Sequence, residues 1–495
     1  MKTLSFALLL AAAFAASAAE PDLVLEGTLD GRDHQTYREV PFDVPSDVER
    51  ITVEFSYTGR DEKTTIDLGL LDAEPAQGFR RFRGWSGGNK STFTVAASDA
   101  TPSFRAGPLR PGRWALLLGV PNIRKTSHAS FVAKIRFDKT GAADALPDAL
   151  RVVANARPGW YRGDLHMHTA HSDGGCATRG GAKAPCPAFL TASAAAERGL
   201  DFIAVSDHNT TSHFAALREL QPYFDRTLLM PAREITTFQG HANVFGTTAP
   251  IDFRVGSATV PDWDALLRDV AAKHGLVSIN HPVRPSNELC MGCGWTPTPA
   301  ADLARVQMVE VVNGNDADTP LSGVPFWEGL LDRGLRVIAV GGSDNHDAGA
   351  ATRLGSGAVG TPTTVVYAKE LSETAILAAL RAGHAFVDVA GSRDRRLEFS
   401  AASGDATATM GDTLKVPANA AATFTVRVRG AAGARVELIE DGRAASIAGE
   451  RGIASNDQAL AFDWPGDGRR HWRRANVRDA GGRLLLIGNP VYVEP

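Results

Sequence analysis

The 495-residue sequence predicts a multidomain protein in which a central βα barrel is flanked by two all-β, sandwich-like segments. Three observations carry this. Between residues 151 and 391, amphipathic helical stretches alternate with short, continuously apolar runs, as buried parallel strands and their helices do. On either side the chain reads as short alternating runs separated by Gly- and Pro-containing turns, with no convincing helix. Several central apolar runs also end on histidines and carboxylates, and the carboxyl ends of strands are where a βα barrel keeps its working groups.

Taken in order, residues 1–19 read as a cleaved secretory signal: a lysine at position 2, an apolar run from Leu4 to about Ala16, and small residues to Ala18 and Ala19. A buried N-terminal helix is the alternative. No later segment approaches a spanning length, so the mature chain is expected to be periplasmic or secreted, without a membrane span. Residues 20–150 form the first β segment, with runs such as RITVEFSYT, RWALLLGVP and SFVAKIRFD. Within it FRRFRGWSGG, with Arg80, Arg81, Arg83 and Trp85, reads as an exposed hairpin whose aromatic packs on a neighbouring domain. The composition is that of a globular protein, 44% hydrophobic and 22% charged with a formal net charge of −4. Such a balance gives no reason to expect nucleic acid or an anionic membrane as the main partner.

In the central segment, helical spacing covers CPAFLTASAAAERG, HFAALRELQPYF, PDWDALLRDVAAKHG, PFWEGLLDRG and SETAILAALRAGH, each ahead of an apolar run: DFIAV, LLM, LVSI, VIAV and AFVDV. Residues 392–495 return to β structure, and the run RRHWRR, Arg469 to Arg474, reads as a solvated strand face rather than a phosphate or nucleic-acid site. Four cysteines, Cys176, Cys186, Cys290 and Cys293, fall in expected loops after ligand-bearing strands. In an oxidising compartment they should form disulfides in one of three connectivities, and CMGC as half a zinc ribbon is the weaker option.

The chemistry is concentrated in YRGDLHMHTAHSDG, residues 161–174. Residues two apart in a strand share a face, so His166 and His168 can chelate one ion. Similar strand ends deliver Asp207 and His208, Glu234, His281, and Asp344 with His346, and His241 opens the run HANVFG. Candidate ligands are therefore His166, His168, Asp173, His208, Glu234, His241, His281, Asp344 and His346, more than one ion can use. Two or three divalent ions, zinc, manganese or iron, are implied, with a carboxylate such as Glu234 or Asp344 able to bridge. Such a pair can hold a hydroxide and neutralise charge on an ester or phosphate oxygen, so hydrolysis is the supported chemistry. Asp207, His208 and Glu234 are the candidate catalytic residues, and Asp207, pointing away from His208 in a regular strand, suits a hydrogen-bonding role there better than direct ligation. Asn209, His213, Arg233, Arg284 and Arg353 are candidates for binding an anionic group, each with a structural ion pair or hydrogen bond as the plainer alternative. His171 stands off the strand-end register, and His274 and His384 read as helix-end residues.

These motifs, HMH at 166–168 with SDG at 172–174, SDHN at 206–209, Glu234, the NHP containing His281, and GSDNH at 342–346, resemble those of the PHP (polymerase and histidinol phosphatase) superfamily. FRGWSGG near the start and GNPVYV at the end resemble its exported CehA/McbA-type branch. The resemblance implies a distorted, TIM-like (β/α)7 barrel carrying two or three metals and, in many members, phosphoester hydrolysis. By that resemblance His166, His168, Glu234 and Asp344 would hold one ion. Asp173 and His208 would hold a second with Glu234 bridging, and His241, His281 and His346 would complete that pair or a third site.

The expected protein is thus an exported multinuclear metal-dependent hydrolase acting on a small-molecule ester, a phosphomonoester or phosphodiester first. A carboxylic or carbamate ester hydrolase with the same metal centre is the nearest alternative, and a non-catalytic surface or glycan-binding protein the more distant one.

Overall fold

The computed structural model describes residues 20–73, 82–86, 90–139, 151–287, 290, 292–349, 357–445 and 451–495. The expected leader at 1–19, Arg80, Arg81 and Arg353 lie outside the described residues. The chain divides into two compact units, one of Met1–Thr94 with Arg110–Asp138, the other of Val95–Leu109 with Lys139–Pro495.

The first unit is built on two four-stranded sheets. One joins Leu23–Asp30, His128–Lys139, Val48–Tyr57 and Thr92–Ala96, and the other Thr36–Val44, Gly112–Asn122, Thr65–Leu71 and Phe82–Trp85. Ala129, Phe131, Ala133, Ile135 and Phe137 are buried at every second position, the pattern of a strand with one face in a core. Trp85 departs from expectation. It packs within its own sheet, over Gly69 and Gly119, where an added Cβ would stand 2.7 and 2.6 Å from its ring. Arg83 is likewise turned inward, paired with Asp72 at 2.8 Å.

In the second unit seven strands lie side by side: β1 (Gly159–Asp164), β2 (Phe202–Val205), β3 (Leu228–Thr237), β4 (Gly240–Phe245), β5 (Leu276–Ile279), β6 (Met308–Asn313) and β7 (Ile338–Gly342). Five helices accompany them, α1 (Ala188–Glu197), α2 (His213–Leu220), α3 (Trp263–Ala272), α4 (Val324–Asp332) and α5 (Glu373–Ala382). Their ends follow local chemistry: the Asp262 and Ser372 side chains accept from Ala265 N and Ala375 N, and Gly383 closes α5 at φ 79°.

A regular (β/α)7 barrel is not evident. Strand β4 runs antiparallel to both β3 and β5, whereas the β1–β2–β3 and β5–β6–β7 pairings are parallel. Strand β1 gives its second edge to the antiparallel β8 (Thr363–Ala368), which pairs with the equally antiparallel β9 (Ala385–Asp388). Because that edge is taken, β1 and β7 meet only beyond their ends, where Asp344 N donates to His166 O and His168 N to Asn345 O. AFVDV, expected as a parallel strand, is this antiparallel β9.

Strand β9 carries the sheet onward into Leu484–Gly488, so the C-terminal β segment is continuous with the central one. A further sheet, Arg396–Ser403, Ala406–Thr409, Ala421–Arg429 and Asp457–Pro465, shares an apolar core with it around Phe399, Phe424, Val477 and Val493. The RRHWRR run is solvated only at its start, where Arg469 and Arg470 are exposed. Its second half is a correction: Arg473 and Arg474 are buried, paired with Glu440 and Glu328, and Trp472 Nε1 donates to Asp332 of α4, an internal seam. Among the described residues no helix is long and apolar enough to cross a membrane.

Candidate metal centre

The strand pairings of the second unit bring one set of ends together. The β1–β7 contacts set His166 and His168 beside Asp344 and His346, and an isolated parallel bridge joins His208 to Glu234. The backbone adopts positive φ at Asn209 (49°), His281 (28°) and Asp344 (50°), conformations that non-glycine residues keep only where the surroundings enforce them. All nine sequence-predicted ligands lie in one continuous cluster.

Glu234 is its centre. Its Oε1 lies 3.4 Å from His166 Nε2, His241 Nδ1 and His281 Nε2, and its Oε2 3.6 Å from His168 Nε2. Asp344 Oδ1 lies 3.3 Å from His166 Nε2 and 3.2 Å from His168 Nε2. Nearer solvent, Asp173 Oδ1 is 3.5 Å from His208 Nε2 and 3.4 Å from His346 Nε2. Charge-assisted hydrogen bonds are shorter, about 2.7–2.9 Å. Two ligand atoms each about 2.0–2.1 Å from one ion at a tetrahedral angle stand about 3.3 Å apart, which is the spacing observed. His166 Nε2 and His168 Nδ1 are moreover buried with no hydrogen-bond partner. The donor set therefore fits divalent ions, in groups His166–His168–Asp344, His168–Asp173–His208–His346 and His166–Glu234–His281, with His241 and His281 also beside Cys293.

Electrostatics agree. Burial opposes charge on Glu234 and Asp344, yet His166 and its neighbours hold both carboxyls well below the usual range. Burial likewise opposes charge on His166, but Glu310, Asp344 and Glu234 raise it well above the ordinary histidine value. His346 is raised to about 9, Asp173 and Asp344 outweighing burial. His168, buried and stacked between His208 and His346, is lowered to about 4. The carboxylates demand cations that imidazolium protons supply; divalent ions would take over that role and release the protons.

Of the other predicted residues, Asp207 is fully buried and accepts from Thr169 N (2.8 Å), Thr169 Oγ1 (2.7 Å) and Ser172 Oγ (2.6 Å). It braces the loop between His168 and Asp173 and faces away from the cluster. His213 is buried behind it, Nε2 bonded to Ala232 O at 2.7 Å. Arg233 points from the opposite face of β3, bonding Thr247 O at 2.9 Å over the Phe214 ring. The Asn209 amide is committed to the Thr236 backbone in both directions. Arg284 does reach the cluster, 3.4 Å from Asp344 Oδ2, while pairing with Asp316 and Asn313. His171 bonds Ser212 and stands apart.

Sequence reading missed Glu310, whose Oε1 bonds His166 Nδ1 at 2.9 Å and whose Oε2 accepts from His281 N and Asn313 Nδ2. It missed Asn280, which donates to Glu234 Oε1 at 2.8 Å, and Thr236, whose hydroxyl meets His208 Nδ1. Asp164 was missed too: buried and thereby raised to about 6, it accepts from the backbone of His166, Ser343 and Gly360 and ties β1 to the segment after β7. The cysteines pair as Cys176–Cys186 and Cys290–Cys293, the first bridging a short hairpin.

No family model matches the chain, and no curated protein matches it. Among solved structures, a two-domain protein from Bacteroides vulgatus containing a predicted PHP-like metal-dependent phosphoesterase is similar over 68% of this chain and 96% of its own, with 17% identity and a TM-score of 0.37. A likeness that distant carries no argument about activity, and the activity has to be reasoned from the geometry of the cluster.

Proposed function

We propose that the chain is an exported, multinuclear metal-dependent hydrolase of ester bonds. The observation that carries this is the 3.2–3.6 Å spacing of eight imidazole–carboxylate atom pairs around Glu234, Asp344 and Asp173. His166, His168, Glu234 and Asp344 would hold one ion; Asp173, His208 and His346 a second; His241 and His281, with Glu234, a third. When bound, such ions supply activation of water and neutralisation of charge developing on the ester.

The chain's own residues divide the remaining work. Glu234, buried against five imidazoles counting His208 Nδ1 at 2.8 Å, holds the groups in one register. Glu310 fixes Nδ1 of His166 and so orients its Nε2 toward Glu234 and Asp344, and Thr236 holds Nδ1 of His208 beside Glu234, leaving its Nε2 toward Asp173. His208 and His346 are half-buried and Asp173 is exposed, so substrate meets that side of the cluster. Two pairings, Cys176–Cys186 and Cys290–Cys293, accord with export.

A phosphoester is the first substrate class, with Arg284, 3.4 Å from Asp344, the guanidinium among the described residues to receive it. A carboxylic or carbamate ester is the second reading, favoured by one observation: Arg284 is already engaged by Asp316, Asn313 and Asp344. Elemental analysis of protein made in an oxidising compartment, with aryl phosphomonoester, phosphodiester and carboxylic ester tested for wild type and His168→Ala, separates these. Two or more ions per chain and phosphoester turnover lost in the variant support the first reading. Carboxylic-ester turnover alone moves the assignment to the second, and little metal with no turnover leaves a binding protein.

A further inference from the structure

Cys293 stands where a disulfide partner has no need to be. It is almost fully buried, and its Sγ lies within 4.8 Å of ligand nitrogens of both His241 and His281. Its carbonyl meets His281 Nδ1 at 3.2 Å, which places that proton on Nδ1 and leaves Nε2 facing Glu234. Described residues around it are tied down: Gly292 N donates to Ser286 Oγ, Trp295 N to Pro282 O and Thr296 N to Gln239 O. Gly292, at φ 76°, lies so close to the β3–β4 turn that an added Cβ would stand 2.0 Å from Thr237 O. Cys290 is half-buried, so the outer sulfur of the pair is the one a reductant reaches. A bridge across a separation of 3 residues constrains the unfolded chain less than the one across 10, so chain constraint is a weak reason for seating Cys293 against two imidazoles.

We propose that Cys293 is a masked ligand of the His241–His281 end of the metal centre, exposed by reduction of its bond to Cys290. The proposal rests on the metal-centre reading above. With the disulfide intact, that end offers nitrogen and oxygen donors only. A dithiol reductant attacks Cys290 Sγ, the S–S bond breaks, and Cys293 leaves as a thiolate beside the imidazoles. The reductant's second thiol then resolves the mixed disulfide, releasing Cys290 as a thiol and carrying the two electrons' oxidation away as its own disulfide. The third donor of the His241–His281 group becomes sulfur, which favours thiophilic ions such as zinc or cobalt(II) over manganese.

The test is cobalt(II) binding to full-length, metal-stripped protein, followed by absorption. Cys290→Ser frees Cys293 without reductant and leaves Cys176–Cys186 intact. The expected result is a near-ultraviolet thiolate-to-cobalt charge-transfer band in Cys290→Ser and in dithiol-treated, desalted wild type. The oxidised wild type and the Cys290→Ser/Cys293→Ser double variant should lack it, and zinc should gain at least tenfold over manganese on reduction. Visible cobalt bands without the charge-transfer band in Cys290→Ser would overturn the sulfur ligand while leaving the metal centre standing. A charge-transfer band in Cys293→Ser would also overturn it, assigning the sulfur to Cys290. No cobalt absorption in any form would overturn both readings.

Discussion

Glu310→Gln isolates the orientation of His166 from the presence of its ligands. The Glu310 carboxylate has acceptors only, and three donors converge on it: His166 Nδ1 at 2.9 Å, His281 N at 3.0 Å and Asn313 Nδ2 at 2.9 Å. A glutamine has the same shape but one oxygen and one NH2. With its oxygen toward His166, its NH2 meets two other donors, and a buried unsatisfied donor costs about 1–3 kcal/mol. With its NH2 toward His166, the imidazole proton must move to Nε2, the atom facing Glu234 and Asp344, and the ligand is lost. Either way zinc affinity should fall about 10- to 100-fold, equivalent to about 1.4–2.7 kcal/mol. Competition against a chromophoric chelator measures it, with circular dichroism confirming that the metal-free variant is folded. A folded variant binding zinc within about twofold of wild type would refute the claim that Glu310 sets the His166 tautomer.

His168→Ala should abolish turnover and lower metal content, because its Nε2 faces both Glu234 and Asp344; inductively coupled plasma analysis and ester assays check both. Gly342→Ala should destabilise by about 1–3 kcal/mol and weaken metal binding, since the new Cβ would stand 2.4 Å from His166 Cβ and 2.6 Å from Glu310 Oε1; urea unfolding and chelator competition read it. Stripping metal should lower the melting temperature by several degrees, as ligand at about 100 times its Kd adds about 2.7 kcal/mol to the native state. His213 predicts an acid slope of defined sign. Burial lowers it from 6.5 to about 4 despite Asp207 at 3.6 Å, so the unfolded chain binds its proton more readily. Its contribution is complete above about pH 6.5 and is lost as pH falls toward 4, up to about 3 kcal/mol. Metal-loaded wild type and His213→Gln, unfolded in urea at pH 7 and pH 4.5, should differ in pH slope; equal slopes would remove His213 as the cause.

Helices were the most legible elements, and all five expected in the central segment are present as α1 to α5. Their spacing, and stops such as Gly383, are local properties that a sequence carries openly. Strand partnership is not local. HANVFG reads as a strand, but nothing in it says that β4 runs backwards between β3 and β5. AFVDV looks as apolar as a parallel barrel strand because both its faces are buried, Phe386 in one apolar core and Ala385 and Val387 in others, whereas its edges pair with antiparallel β8 and Leu484–Gly488. Arg474 illustrates the same limit: in a strand it reads as solvated, and only the approach of α4, with Glu328 and the Trp327 ring, makes it a buried ion pair.

The cluster was legible for a chemical reason, since histidines and carboxylates at successive strand ends converge whether or not the ring of strands is regular. What stayed hidden were the groups that aim them. Glu310 lies inside the run MVEVVN, where a lone carboxylate looks like a polar residue facing out. Glu310 instead shares its strand face with buried Met308, opposite Val340 of β7, and so points inward to His166. Gly342 is the other half of the device, because only a residue without a Cβ leaves room for the His166–Glu310 contact. A buried carboxylate and a missing Cβ thus set one imidazole's proton. Glu310→Gln and Gly342→Ala should each fold and lose metal before losing secondary structure, as chelator competition and circular dichroism would show.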